Sequence, residues 1–175
     1  MEDAREPVEP RWLDADEQQQ WYALAYLLTQ LPAALEAQMQ REAGIAHFDY
    51  MVMATLSVAP ERTLRMSELA HYVGSALTRL SNVVIRLEKR GWVHRHPDPS
   101  DGRATLATLT DDGMDKVAAA APGHVEAVRR LVFDPLTKAQ QRQLGAASQR
   151  ILGALNARFP TDWAPPGAAQ QADRD

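Results

Sequence analysis

No cysteine occurs among the 175 residues. That absence excludes disulfides and thiolate zinc sites, and it leads us to expect a cytoplasmic protein. Long hydrophobic runs are missing too. No stretch of about 18 apolar residues exists, so no membrane span is expected. The opening MEDAREPVEP is acidic and lacks the apolar heart of a secretion signal, so none is expected. No nucleophile–base–acid arrangement, glycine-rich phosphate loop or catalytic carboxylate pair is recognisable, which argues against an enzyme and against a bound cofactor. Overall positive charge is lacking as well: the formal net charge is −4 and the pI about 5.7.

What is present is a chain with 45% hydrophobic residues, long enough for one sizeable core plus extensions. The most informative stretch is MSELAHYVGSALTRLSNVVIRLEKRGWVHRHPDPSDGR, residues 66–103. Its pattern predicts a helix over Met66–Val73 with Ser67 near the N-cap and Leu69 and Val73 turned inward. Gly74 supplies a sharp turn, where a positive φ is easy for glycine. A second helix then carries Leu77, Leu80, Val83, Val84 and Leu87 at helical spacing and ends at Lys89-Arg90-Gly91. At about 100° per residue, Ser75, Thr78, Asn82 and Arg86 fall on the opposite side, with Arg79 at its edge. Hydroxyl, amide and guanidinium groups are what base edges and phosphates accept: Arg suits guanine, Asn suits adenine, and Ser or Thr suits either.

Val93-His94-Arg95-His96 alternates as a short strand does. Pro97 to Gly102 is dense in turn formers, and Arg103–Leu109 reads as the returning strand. A hairpin with Arg103 near its tip, supported by Arg95, can reach a minor groove or clamp phosphates. Asp101 carries the wrong charge for DNA. Its expected role is to hold Arg103, or an arginine of the second helix, in a fixed pose. The charge distribution agrees. Residues 75–103 hold cations at 79, 86, 89, 90, 95 and 103 against acids at 88, 98 and 101, a local +3, whereas residues 1–17 carry −5. An acidic remainder orients the protein and restrains nonspecific binding.

The run SELA…VG…LTRLSNVVIRLEKRGWV, followed by DGRATLATLT at 101–110, resembles the MarR family of bacterial transcription factors. The DGR…LT portion fits that family's wing signature, and the element order fits from about residue 12 to 158. One departure is local: Ser75-Ala76 stands where the family often has an apolar residue and then Ser. The resemblance implies a mainly α fold with a small β-wing, a winged helix-turn-helix carrying N- and C-terminal dimerisation helices. It also implies a homodimer on double-stranded operator DNA, in which the terminal helices of two subunits interlock. Some relatives use a cysteine-oxidation switch, which this chain cannot. A pocket for a small aromatic or phenolic effector is implied as well. Trp12, Trp21, Tyr22, Tyr26, His47 and Tyr50 could line it, although core or interface packing suits each of them, and no ligand residue is assigned.

Around this motif the chain is expected to divide into an acidic flexible segment (1–11), an N-terminal dimerisation helix (12–46), the winged helix-turn-helix (47–109), C-terminal dimerisation helices (110–159) and a disordered tail (160–175). Within these, 12–43 reads as one helix with Trp21, Leu24, Leu28, Leu31, Leu35 and Met39 near one face, kinked at Pro32. A second helix runs from Phe48 to Val58, and Thr63-Leu64-Arg65 can add a third strand. Thr110 caps a helix over 111–132 that Pro122-Gly123 interrupts by a kink or a break. Thr137-Lys138-Ala139-Gln140 is a capping box, followed by a stripe of Leu144, Ser148, Ile151, Leu152 and Leu155. These apolar stripes exceed what a short winged helix must cover, which points to a second copy of the chain. In the tail, Trp163 reads as a spectator. His94 and His96 share one strand face, but no carboxylate completes a metal site, and none is assigned. His71 is expected to pack or face solvent. The alternative reading is a winged helix that binds proteins and not DNA. It needs no cationic face.

Overall fold

The computed structural model describes residues 9–155. The segments 1–8 and 156–175, and thus most of the acidic end, the end of the expected 110–159 region and the whole tail with Trp163, lie outside the described residues. The element order is α1 (Ala15–Ala43), α2 (His47–Ser57), a 3-10 turn (Pro60–Arg62), β1 (Thr63–Arg65), α3 (Met66–Tyr72), α4 (Leu77–Lys89), β2 (Val93–Asp98), β3 (Asp101–Leu109), α5 (Asp111–Val128), a π turn (Arg129–Phe133) and α6 (Lys138–Ala154). The fold is a mainly helical winged helix-turn-helix with a three-stranded antiparallel sheet in the order β1-β3-β2. No helix among the described residues is long and apolar enough to cross a membrane.

The chain divides into two compact units, one ending at Ala34 and the other starting at Leu35. In the first, Asp14 and Glu17 cap the start of α1 reciprocally: the Glu17 N–H donates to Asp14 Oδ1 at 2.8 Å and the Asp14 N–H to Glu17 Oε2 at 3.1 Å. Leu24 and Leu31 are partly covered, whereas Trp21, Tyr22, Tyr26 and Leu28 are exposed and Trp12 is 84% exposed. Helix α1 continues through Pro32 without interruption, so the expected kink is not a break in the helix.

In the second unit, Leu35 and Met39 of α1 are buried, and the core gathers Met39, Ile45, Tyr50, Val52, Met53, Leu56, Leu69, Leu80, Val84, Leu87, Val93, Leu109 and Val117. Strand β3 sits centrally. Thr63 pairs with Thr108 on one side, and Val93 pairs with Leu109 on the other. Thr63-Leu64-Arg65 thus adds the third strand that the sequence allowed. Thr110 caps α5 by accepting the Gly113 N–H, and Thr137 with Gln140 forms the capping box of α6.

Three expectations need correction. Helix α5 runs unbroken through Pro122-Gly123 and changes register only at 129–133, where it widens into a π turn. Proline removes just one donor, and Ala118 and Pro122 face solvent. A Cβ at Gly123 would come within 2.7 Å of Glu42 Oε2, so this glycine serves a close helix approach and not a break. The N-cap of α3 is Arg65, not Ser67; the Arg65 N–H donates to Glu68 Oε2 at 3.2 Å. Leu77, read as core, is 49% exposed: it is the first residue of α4, and the buried stripe of that helix starts one turn later at Leu80.

Candidate nucleic-acid interface

The turn between α3 and α4 depends on Gly74, whose φ is +60°. The Ser75 N–H donates back to the Ala70 carbonyl at 2.9 Å and closes the turn. Helix α4 then buries Leu80, Val83, Val84 and Leu87 and leaves Thr78, Arg79, Asn82, Ile85 and Arg86 exposed. Its start has no side-chain cap, so its first N–H groups remain open to a ligand such as a phosphate. Ser75 lies two residues outside α4, half-buried, with its hydroxyl donating to the Ala76 carbonyl at 3.3 Å.

The polar row of α4 borders an open cleft of about 570 Å³ that it shares with the start of α2. Thr78, Asn82 and Arg86, each four residues on, line it together with Arg79, Phe48 and Asp49. Both arginines are held from α2. The Arg79 guanidinium lies over the Phe48 ring, 4.5 Å from its centroid, in a cation–π contact. Arg86 forks onto Asp49: Nε donates to Oδ2 at 3.2 Å and Nη2 donates to Oδ1. The hydrogen bonds that Arg86 donates to Asp49 raise the Arg86 pKa above its usual value. Thr78 and Asn82 make no side-chain hydrogen bond among the described residues.

On the other side of α4, a second cleft of about 410 Å³ is lined by Leu77 and Ser81 of α4, Arg65, Met66 and Ser67, and the wing residues Arg95, Asp101, Arg103, Ala104 and Thr105. Arg95 is not free here. Its backbone N–H donates to Glu88 Oε1 at 3.1 Å, while Nε and Nη2 donate to Oε2 at 2.9 and 2.7 Å. The Arg95 guanidinium thereby depresses the Glu88 pKa, and β2 is stapled to the end of α4. Asp98 anchors the hairpin turn. It accepts from the Ser100 hydroxyl at 2.7 Å, from the Ser100 N–H at 2.8 Å and from Arg65 Nε at 2.8 Å, and these bonds bring its pKa down to about 2.

Asp101 acts on Arg103 through the backbone alone: its Oδ1 accepts the Arg103 N–H at 3.1 Å, and it pairs with no guanidinium among the described residues. The Arg103 side chain is exposed at the wing tip and has no partner among the described residues. The expected site residues therefore separate into three groups. Thr78, Asn82 and Arg103 are exposed and uncommitted. Arg79 and Arg86 are exposed but held. Arg95 and Asp101 serve the internal geometry of the wing, and Ser75 stands apart.

Two positions were missed by sequence reasoning. Arg65 precedes the helix-turn-helix and nothing in its neighbourhood marks it. Asp49 could have been noticed, because a carboxylate inside the apolar run FDYMVMATL is out of place on a core-facing helix. The aromatic candidates also separate. Tyr50 is buried in the core and touches His124, with ring centroids 4.8 Å apart; His47 lies 5.3 Å from the same ring. Desolvation lowers the pKa of both histidines. His94 and His96 stack on the outer sheet face, and His96 Nε2 meets the Thr108 hydroxyl at 3.0 Å. No group of three or more metal-binding side chains occurs among the described residues. His71 is exposed.

Known proteins match this architecture. The MarR family model matches residues 48–105. The crystal structure of Sco3205, a MarR family transcriptional regulator from Streptomyces coelicolor, in complex with DNA, is 44% identical. The match covers 90% of this chain and 97% of that one, with a TM-score of 0.81. AbsC, a MarR family transcriptional regulator from the same organism, is 32% identical, with 85% and 100% covered and a TM-score of 0.79. The transcriptional repressor MprA of Escherichia coli K12 is 26% identical over 119 residues, 68% of this chain and 67% of its own length.

Proposed function

This chain belongs to the MarR family of transcriptional regulators, and on that footing we propose that it binds a pseudo-palindromic operator as a homodimer, represses transcription there and is released by a small aromatic effector. Members of the family are DNA-binding regulators and not enzymes.

The observation that carries the DNA reading is the exposed row Thr78–Asn82–Arg86 on a helix buried on its other side, next to a wing whose Arg103 is uncommitted. In the proposed complex α4 enters a major groove, where Thr78, Asn82 and the held Arg79 and Arg86 reach base edges and phosphates. Leu77, half-exposed at the start of α4, suits a thymine methyl group. Arg103 enters the flanking minor groove or grips its phosphates, while Arg95 and Asp101 keep the wing in shape. Ser75 contributes at most its hydroxyl to a phosphate.

Dimerisation is supported by uncovered apolar side chains. Leu155 is 69% exposed, Ile151 and Leu144 are exposed beside it on α6, and Trp12 and Tyr26 are exposed in the N-terminal unit. Water contact with so many large apolar groups is costly, and a second copy is the simplest cover. A two-fold dimer presents two α4 helices about 34 Å apart, one per successive major groove on one face of the duplex. The repressor role is taken from the likeness to MprA, and the effector from the family resemblance alone. A regulator of this kind works where the chromosome is, which places it in the cytoplasm.

The test is to sequence genomic fragments that co-purify with the protein, then to titrate the recovered duplex by fluorescence anisotropy. The expected result is an inverted repeat bound at two half-sites. Fragments with no shared sequence, bound no better than random duplex, would refute it.

A further inference from the structure

Helix α2 opens with four residues that all reach toward other elements: His47, Phe48, Asp49 and Tyr50. The middle two touch α4 at both ends of its polar row. Phe48 lies under Arg79, and Asp49 takes the fork of Arg86 two turns further on. Asp49 is a costly residue in this place. Its side chain is only 3% exposed, while that of Arg86 is 47% exposed, so one charge is buried and its partner reaches solvent. An apolar side chain of similar volume generally gives more stability than a buried ion pair, so what the pair supplies is geometry. Asp49 is also the third residue of α2, where the open N–H groups of the helix start favour an anion. Both of its carboxylate oxygens are taken by Arg86, and no other hydrogen-bond partner of its side chain occurs among the described residues.

The consequence falls on Arg86. With Nε and Nη2 committed, the plane of its guanidinium is fixed, and Nη1 has no partner among the described residues. An unclamped arginine sweeps through many rotamers and seeks any phosphate. A clamped one offers a single N–H edge in one direction and loses less freedom when it binds.

We propose that Asp49 is a positioning residue for operator recognition, which converts Arg86 from a mobile phosphate-seeking cation into a fixed donor that discriminates between sequences. This rests on the reading that α4 lies against DNA. Phe48 plays the parallel part for Arg79, so the first turn of α2 acts as a template for the two arginines of the recognition helix.

The test compares binding to the operator, to single-base variants of it and to random duplex, at several salt concentrations. Asp49→Asn keeps the shape of the side chain and removes its charge. The expected result is about tenfold lower discrimination at one base position per half-site, with affinity for random duplex held or raised. The slope of log K against log salt should steepen by about 0.9 per freed cation. Arg86→Lys, which cannot fork onto a carboxylate and changes no buried side chain, should show the same loss of discrimination. In an Arg86→Gln background, Asp49→Asn should change discrimination no further. Equal loss of operator and random-duplex binding in Asp49→Asn, or additive effects of the two substitutions, would overturn the positioning role and leave the DNA reading standing. Failure of the wild-type protein to retain any duplex at low salt would overturn both.

Discussion

At the residue scale, two exposed and uncommitted side chains should differ in what they control. Arg103 is exposed near the wing tip with no side-chain partner among the described residues; in the proposed complex it meets phosphate or the minor groove, so Arg103→Ala should weaken binding to every duplex and lower the salt slope by about 1 per subunit. Asn82 sits mid-row on α4 with a free amide. Asn82→Ala should cost about 1–3 kcal/mol against the preferred base and little against random sequence. Anisotropy titrations against a panel of single-base variants measure both, and an Asn82→Ala effect equal on all sequences would contradict base reading. The exposure of Thr78 and Asn82 was legible in the sequence, because the leucine and valine period of α4 assigns the opposite face, and that of Arg103 because it adjoins the turn-forming run Pro97 to Gly102. Their neighbours were not. Asp49 lies 37 residues from Arg86, and Arg65 lies 33 from Asp98; only the closed fold brings such charges together. The wing Asp101 illustrates the same limit, since spacing alone cannot say whether it meets the Arg103 guanidinium or, as it does, the Arg103 backbone.

At the scale of elements, the order helix–turn–helix–wing was readable from Gly74, Gly91 and the two apolar periods. Element edges were less so: an exposed Leu77 and an unbroken α5 both follow from packing and not from local preference. Packing also makes Gly113 indispensable. A Cβ at this position would overlap the Trp92 carbonyl oxygen and lie 2.7 Å from a Leu109 methyl carbon. Gly113→Ala should therefore cost about 3 kcal/mol of stability, measured by chemical denaturation. A second element-level device is the contact of α2 with α5 through His47, Tyr50 and His124. His47 Nε2 and His124 Nδ1 are buried with no hydrogen-bond partner among the described residues, and Glu36 of α1 faces His47. Desolvation favours the neutral rings in the fold, while the unfolded chain takes up protons near pH 6.5. The unfolded state thus binds more protons below that pH, and stability should fall as pH drops from 7.5 through 6.5, levelling once the folded rings also charge. Thermal melts across that range check this, and His124→Gln should flatten the curve.

At the scale of the whole molecule, the proposed dimer would cover the exposed apolar side chains of α6 and of the N-terminal unit. Sedimentation should give a dimer at micromolar concentration, and Ile151→Glu paired with Leu155→Glu should yield monomers that retain the helical spectrum. On the proposed reading the net charge of −4 is compatible with DNA binding, because the cations of residues 75–103 would meet the duplex while the acidic remainder is turned away from it. All of this depends on the outer face of α4 meeting the duplex. The direct measurement is operator affinity as a function of salt for the wild-type protein beside a Thr78→Ala/Asn82→Ala/Arg103→Ala variant of equal thermal stability. The wild type should lose roughly a hundred- to a thousandfold in affinity between about 50 and 200 mM salt, and the variant should bind weakly with a shallower slope. Identical affinities and slopes for the two proteins would contradict the account.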